Sequence, residues 1–109
     1  MMIERRSEPR ARLALRVEVL GTNARGEGFS ESVMATSLSR SGAMLSRVKT
    51  ELRCGHCVTV KYGDRRAQFR IVWVVEDGRE DTSEVAIHRI DSQRSPWEEL
   101  LPREETAVP

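Results

Sequence analysis

Apolar residues recur at every second position through most of this chain. That period is what a β-strand with one buried face requires, since successive side chains point to opposite faces. Leu13, Leu15, Val17 and Val19 share one face of the first such run, with Arg16 and Glu18 on the other. Ala67, Phe69, Ile71, Trp73 and Val75 repeat the pattern against Gln68 and Arg70. Val58, Val60 and Tyr62 alternate with Thr59 and Lys61, and Val85 and Ile87 with Ala86 and His88. Two further strands are expected over Phe29 to Ser37 and Gly42 to Ser46. The predicted inward set includes Leu15, Val17, Val60, Phe69, Ile71, Trp73, Val85 and Ile87.

Turn signals separate these runs. Gly21 to Gly28 lies between the first two, Gly63-Asp64 joins two later ones, and Glu76-Asp77-Gly78 precedes the last. Six short strands at this spacing predict an all-β fold, a small six-stranded antiparallel barrel, because closure removes the exposed edges that such strands otherwise carry. One helical start stands out at Ser95-Pro96-Trp97-Glu98. Ser as N-cap, Pro at the first helical position and Glu at the third make a capping box, and Pro102 ends the segment. Trp97, Leu100 and Leu101 share a face, so this short helix is expected to pack on the barrel.

With 109 residues the chain is the size of one domain. The expected division is a core over about residues 3–91, a short helix over about 96–101, and a polar tail over 102–109. The longest apolar run, Ile71 to Val75, is far short of the roughly 20 residues of a membrane span, so no membrane insertion is expected. The charged start, Met1-Met2-Ile3-Glu4-Arg5-Arg6, has no apolar stretch behind it, which makes a cytoplasmic location the expectation. Net charge is +1, yet residues 1–75 carry 14 basic and 7 acidic side chains. A near-neutral total argues against a DNA or RNA coat, while the basic first part suits one local anionic partner. Sixteen of the 18 basic residues are Arg. Arg offers a planar fork that can grip phosphate in two places, although codon bias from a GC-rich genome accounts for most of them and position must decide the rest.

Cys54-Gly55-His56-Cys57 has the spacing of a dithiol oxidoreductase site, where the first Cys caps a helix. Here the alternating run Val58 to Tyr62 comes next, so the pair leads into a strand. No second Cys pair completes a zinc site, and His56 and His88 are the only histidines. The expectation is two reduced, partly buried thiols with no disulfide-exchange activity. With no Ser–His–Asp set and no phosphate-cradling Gly loop, an enzyme is not expected and no cofactor is implied.

Two segments carry chemistry. Arg5-Arg6-Ser7-Glu8-Pro9-Arg10 precedes the first strand, and Pro9 disfavours helix at Glu8, so Arg6 and Arg10 can approach one anionic, planar ligand from two positions. Ser37-Leu38-Ser39-Arg40-Ser41-Gly42 joins two strands, offering hydroxyls that donate and accept, and a Gly that tolerates close backbone approach. Taken singly, each also reads as a solvated basic start and an ordinary polar turn.

Together, in this order, the two segments resemble the signature of the PilZ domain family: RxxxR, then [D/N]xSxxG about 20 to 30 residues later. RxxxR falls on Arg6 to Arg10 with Arg5 as an extra arginine, and SxxG falls on Ser39 to Gly42. The resemblance covers roughly residues 3–91 and implies a bacterial signalling module that binds cyclic di-GMP and acts on a downstream protein partner. In that mode Arg5, Arg6 and Arg10 grip phosphates and stack on guanine. The residues at 37 and 39 bond guanine edges, and Gly42 lets the backbone come close. The chain departs from the pattern at Ser37, where the family has Asp or Asn, and at Glu84, near where many relatives have Gly. Losing one good polar contact costs about 1–3 kcal/mol, roughly ten- to hundred-fold in affinity. Two readings therefore stand: a nucleotide receptor, and an interaction module that has lost the ligand.

Overall fold

In the computed structural model, which describes residues 13–76, 78, 81–90 and 94–101, each alternating run becomes a strand. The strands are β1 (Leu15–Thr22), β2 (Gly28–Thr36), β3 (Gly42–Val48), β4 (Cys57–Tyr62), β5 (Arg65–Glu76) and β6 (Ser83–Arg89). They close into an antiparallel barrel in the order β1-β2-β3-β6-β5-β4. Val17, Val19, Val33, Ala35, Leu45, Val58, Val60, Phe69, Ile71, Val85 and Ile87 fill the interior. No helix among the described residues is long and apolar enough to cross a membrane.

The turns are set by local chemistry. Between β1 and β2, the Asn23 carboxamide oxygen accepts from the backbone N–H groups of Arg25 and Glu27, both at 2.9 Å. Between β4 and β5 only Gly63 and Asp64 intervene, and Gly63 at φ +63° takes the left-handed position that a two-residue hairpin needs.

One predicted inward residue is corrected. Ile71 pairs with Ile87, but Trp73 pairs with Ala86, so β5 advances two residues while β6 advances one. The extra residue, Val72, forms a β-bulge and reverses the parity of the remainder of β5. Trp73 and Val75, expected inside, are 39% and 52% exposed, while Val74 packs against the core instead. Leu15 is only partly buried at the barrel rim, and Leu13 is exposed ahead of β1. Consequently Trp73→Ser should lower stability by less than about 1 kcal/mol. Ile71→Ala, two residues earlier, should cost about 2–5 kcal/mol, both read by urea denaturation.

A second bulge lies between Leu45 and Val48 in β3, where Arg47 takes φ +53°. Glu84 supports it, accepting from the Ser46 hydroxyl at 3.2 Å and the Arg47 backbone N–H at 3.3 Å. A Gly at 84 could not make these bonds.

The C-terminal helical segment is a single 3-10 turn, Glu98–Leu100, shorter than expected and without a side-chain cap. Ser95 does not close a capping box, because its hydroxyl donates to the Arg40 carbonyl at 2.6 Å instead. Trp97 enters the core fully buried, its ring stacked on Phe69 with centroids 5.3 Å apart. Leu101 packs against the core, whereas Leu100 is exposed.

Candidate functional site

The joint between β2 and β3 is the segment that the sequence singled out. Ser37 leaves β2 at φ +52°, a left-handed conformation that Asn, Asp and Gly adopt more readily than Ser. Its side chain is half-buried. Leu38 then turns fully inward and anchors the joint in the core. Ser39 closes the loop on itself. Its backbone N–H donates to the Gly42 carbonyl at 2.9 Å, and its hydroxyl accepts from the Gly42 N–H at 3.2 Å. Ser39 is 2% exposed, so this hydroxyl shapes the joint from within and is not presented to solvent.

Gly42 opens β3 with no room for a side chain. A Cβ there would lie 2.3 Å from the Ile87 carbonyl oxygen, on the backbone of the neighbouring strand. The Gly is thus required by the approach of β6 to β3. On the other side of the joint, the Arg89 N–H donates to the Ser41 carbonyl at 2.7 Å. Arg40 projects at the apex, 3.7 Å from a Glu98 carboxylate oxygen.

Two residues outside the signature complete the joint. The Trp97 indole N–H donates to the Ser39 carbonyl at 2.8 Å, and Ser95 bonds the Arg40 carbonyl. The sequence gives Trp97 only a packing role, because nothing local links it to a loop 58 residues earlier.

The outer face beside the joint is defined by strand register. Gly42, His88, Arg70 and Cys57 form one cross-strand row, each directly opposite the next. Thr36, Met44, Ala86 and Trp73 form the row beyond it. Arg70, His88 and Trp73 are exposed, placing a guanidinium, an imidazole and an indole on one surface. The bulge at Val72 is what brings Trp73 onto this face.

Arg5, Arg6 and Arg10 lie outside the described residues. Ser37, Ser39 and Gly42 are brought together at the joint. The start of β1 is beside them, since Leu15 pairs with Ala35, two residues before Ser37. At the opposite end of the barrel, a cleft of about 580 Å³ is lined by charges of both signs, including Arg25, Lys49, Glu51, Glu76 and Asp81. No group of three or more His, Cys, Asp or Glu among the described residues is placed to hold a metal ion. No known family, curated protein or solved structure matches this chain.

Proposed function

We propose that the face around the Ser37–Gly42 joint receives cyclic di-GMP, and that the domain is a receptor that passes this binding on to a protein partner. The observation that carries the reading is the pairing of Leu15 with Ala35. It starts β1 at the rim where the joint lies. Arg10 is five residues ahead of Leu15, so even an extended chain keeps it within about 18 Å of that rim. Arg6 and Arg10 then serve as phosphate and guanine ligands, through charge-assisted, often bidentate hydrogen bonds and guanidinium–base stacking. Arg5 adds a further positive charge.

The outward residues extend this assignment. Trp73 lies on β5 in the cross-strand row of Ala86 and Met44, beside the row of Arg70 and His88, where a base of the ligand could rest. Its exposed indole offers a stacking surface, worth about 1–3 kcal/mol per base. Arg70 and His88, one row nearer the joint, offer polar contacts to the phosphates between. Ser37 supplies the hydroxyl that meets a guanine edge, while Ser39 and Gly42 hold the loop in shape.

The second reading, a protein-interaction module without the nucleotide, draws on the exposed Val72, Trp73 and Val75, which form an apolar strip on β5. Substitutions separate the two. Arg10→Ala should weaken cyclic di-GMP binding about ten-fold or more, whereas Arg16→Ala, within β1, should change it far less. Ser37→Asp should tighten binding by up to about ten-fold, because Asp tolerates the left-handed backbone at 37 and adds a charged acceptor. Equal effects of Arg10→Ala and Arg16→Ala in calorimetry would argue for diffuse charge attraction and against a defined site.

A further inference from the structure

We propose that Cys54 and Cys57 are a reversible regulatory dithiol, oxidised by small disulfides, whose state controls the Val72 bulge and with it the outward Trp73. Both thiols are free and exposed, which corrects the partly buried placement expected from the sequence, and the proposal replaces the expectation that they take no part in disulfide exchange. Cys54 and Gly55 are the central residues of a tight turn in which the His56 N–H donates to the Arg53 carbonyl at 3.2 Å and Gly55 takes φ +93°, and Cys57 opens β4 just after it. The turn is bonded to β5 on both sides of Ile71: the Gly55 N–H donates to the Ile71 carbonyl at 2.7 Å, and the Ile71 N–H to the His56 carbonyl at 2.8 Å.

The two sulfurs have different tasks in the reduced state. The Cys54 thiol donates to the carbonyl of Val72 at 3.0 Å, so it is tied to the bulge residue itself. Cys57 faces outward from β4, directly opposite Arg70, in the row that runs through His88 to Gly42. Arg53 and Arg70 beside the pair favour a small disulfide that carries carboxylates, of which oxidised glutathione is the simplest probe. Forming the bridge removes the Cys54 S–H, so its hydrogen bond to the Val72 carbonyl is lost, and the turn can adjust at Gly55. An exposed bridge is readily reduced again, the property of labile, regulatory disulfides.

The chemistry is two thiol–disulfide exchanges. Cys57, having given its proton to solvent, attacks one sulfur of the small disulfide. The S–S bond breaks, one glutathione thiolate leaves with the electron pair and takes up a proton, and Cys57 holds the other glutathione. Cys54, deprotonated in turn, attacks the Cys57 sulfur and expels the second glutathione thiolate. The protein loses two protons and two electrons, and the small disulfide takes them up to become two thiols.

The test is to incubate the native chain with oxidised glutathione, quench with acid, and measure intact mass and tryptophan fluorescence. The expected product has lost two hydrogens and retains no glutathione, and reduction restores it. Cys54→Ser should stop at a single retained glutathione on Cys57. Oxidation should shift the emission of the wild type but not of Trp73→Phe, which keeps only the buried Trp97. A chain that stays reduced, or that carries separate glutathione adducts without losing two hydrogens, overturns the dithiol. Loss of two hydrogens with unchanged Trp73 emission overturns its coupling to the bulge. An effect on cyclic di-GMP affinity rests in addition on the receptor reading. Failure of both redox states to bind would count against that reading alone, since mass and fluorescence report the dithiol separately.

Discussion

Trp97→Ala should lower the unfolding free energy by about 3–5 kcal/mol, the range for truncating a fully buried large aromatic. Three losses combine at this one position. The indole is completely buried and stacks on Phe69, so its removal opens a cavity in the core beside that ring. Its N–H also satisfies the Ser39 carbonyl inside the β2–β3 joint. Trp97→Phe separates the parts: it keeps most of the stacking and leaves that carbonyl without its donor, for about 1–3 kcal/mol. Both variants should release the Ser39 and Gly42 amides to faster hydrogen exchange, because the joint loses one of its ties to the C-terminal segment, the bond from the Trp97 indole to the Ser39 carbonyl. Urea denaturation and amide exchange check this together. Trp97→Ala costing under about 1 kcal/mol would mean that the C-terminal segment is not part of the core.

Gly42→Ala should cost about 3 kcal/mol or more, the high end for forcing extra atoms into a packed site. The added Cβ meets the Ile87 carbonyl at 2.3 Å, and a strand backbone cannot step aside as a flexible side chain can. Relief requires β3 and β6 to separate where Gly42 pairs with His88, which would also displace Ser41 and the Ser39 loop. Gly26→Ala is the informative contrast. At φ +84° it carries conformational strain, but its Cβ would meet nothing within 4 Å. Its cost should stay near 1 kcal/mol, so thermal unfolding of the pair distinguishes close approach from backbone preference.

The barrel was legible because alternation fixes which face of each strand is buried, and turn residues fix where each run ends. Val17, Val60, Phe69, Val85 and Ile87 all lie inside, as their alternation requires. Trp73 does not, because the bulge at Val72 comes from the pairing of β5 with β6, and a continuous apolar run gives no local sign of it. The capping box failed for a related reason: the hydroxyl of Ser95 finds a stronger demand in the Arg40 carbonyl, 55 residues away, than in its own turn. At the site, the position of the Ser37–Gly42 joint was readable from Ser and Gly between two strands. Its internal bonding was not. The sequence shows a hydroxyl at Ser39, but nothing local shows that it accepts from the Gly42 N–H. The left-handed backbone at Ser37 gives a physical reason why Asp or Asn would suit this position for conformation as well as for hydrogen bonding.

The most direct test of the receptor reading is a calorimetric titration of the purified chain with cyclic di-GMP, for the wild type and for Ser37→Asp. Saturable binding is expected for both, tighter for Ser37→Asp by up to about ten-fold. Affinity should fall as salt is added, because exposed Arg–phosphate attraction is screened over about 8–10 Å at physiological ionic strength. Absence of binding by both proteins at high micromolar ligand would contradict the receptor reading and leave the apolar strip of β5 as the surface through which this domain acts.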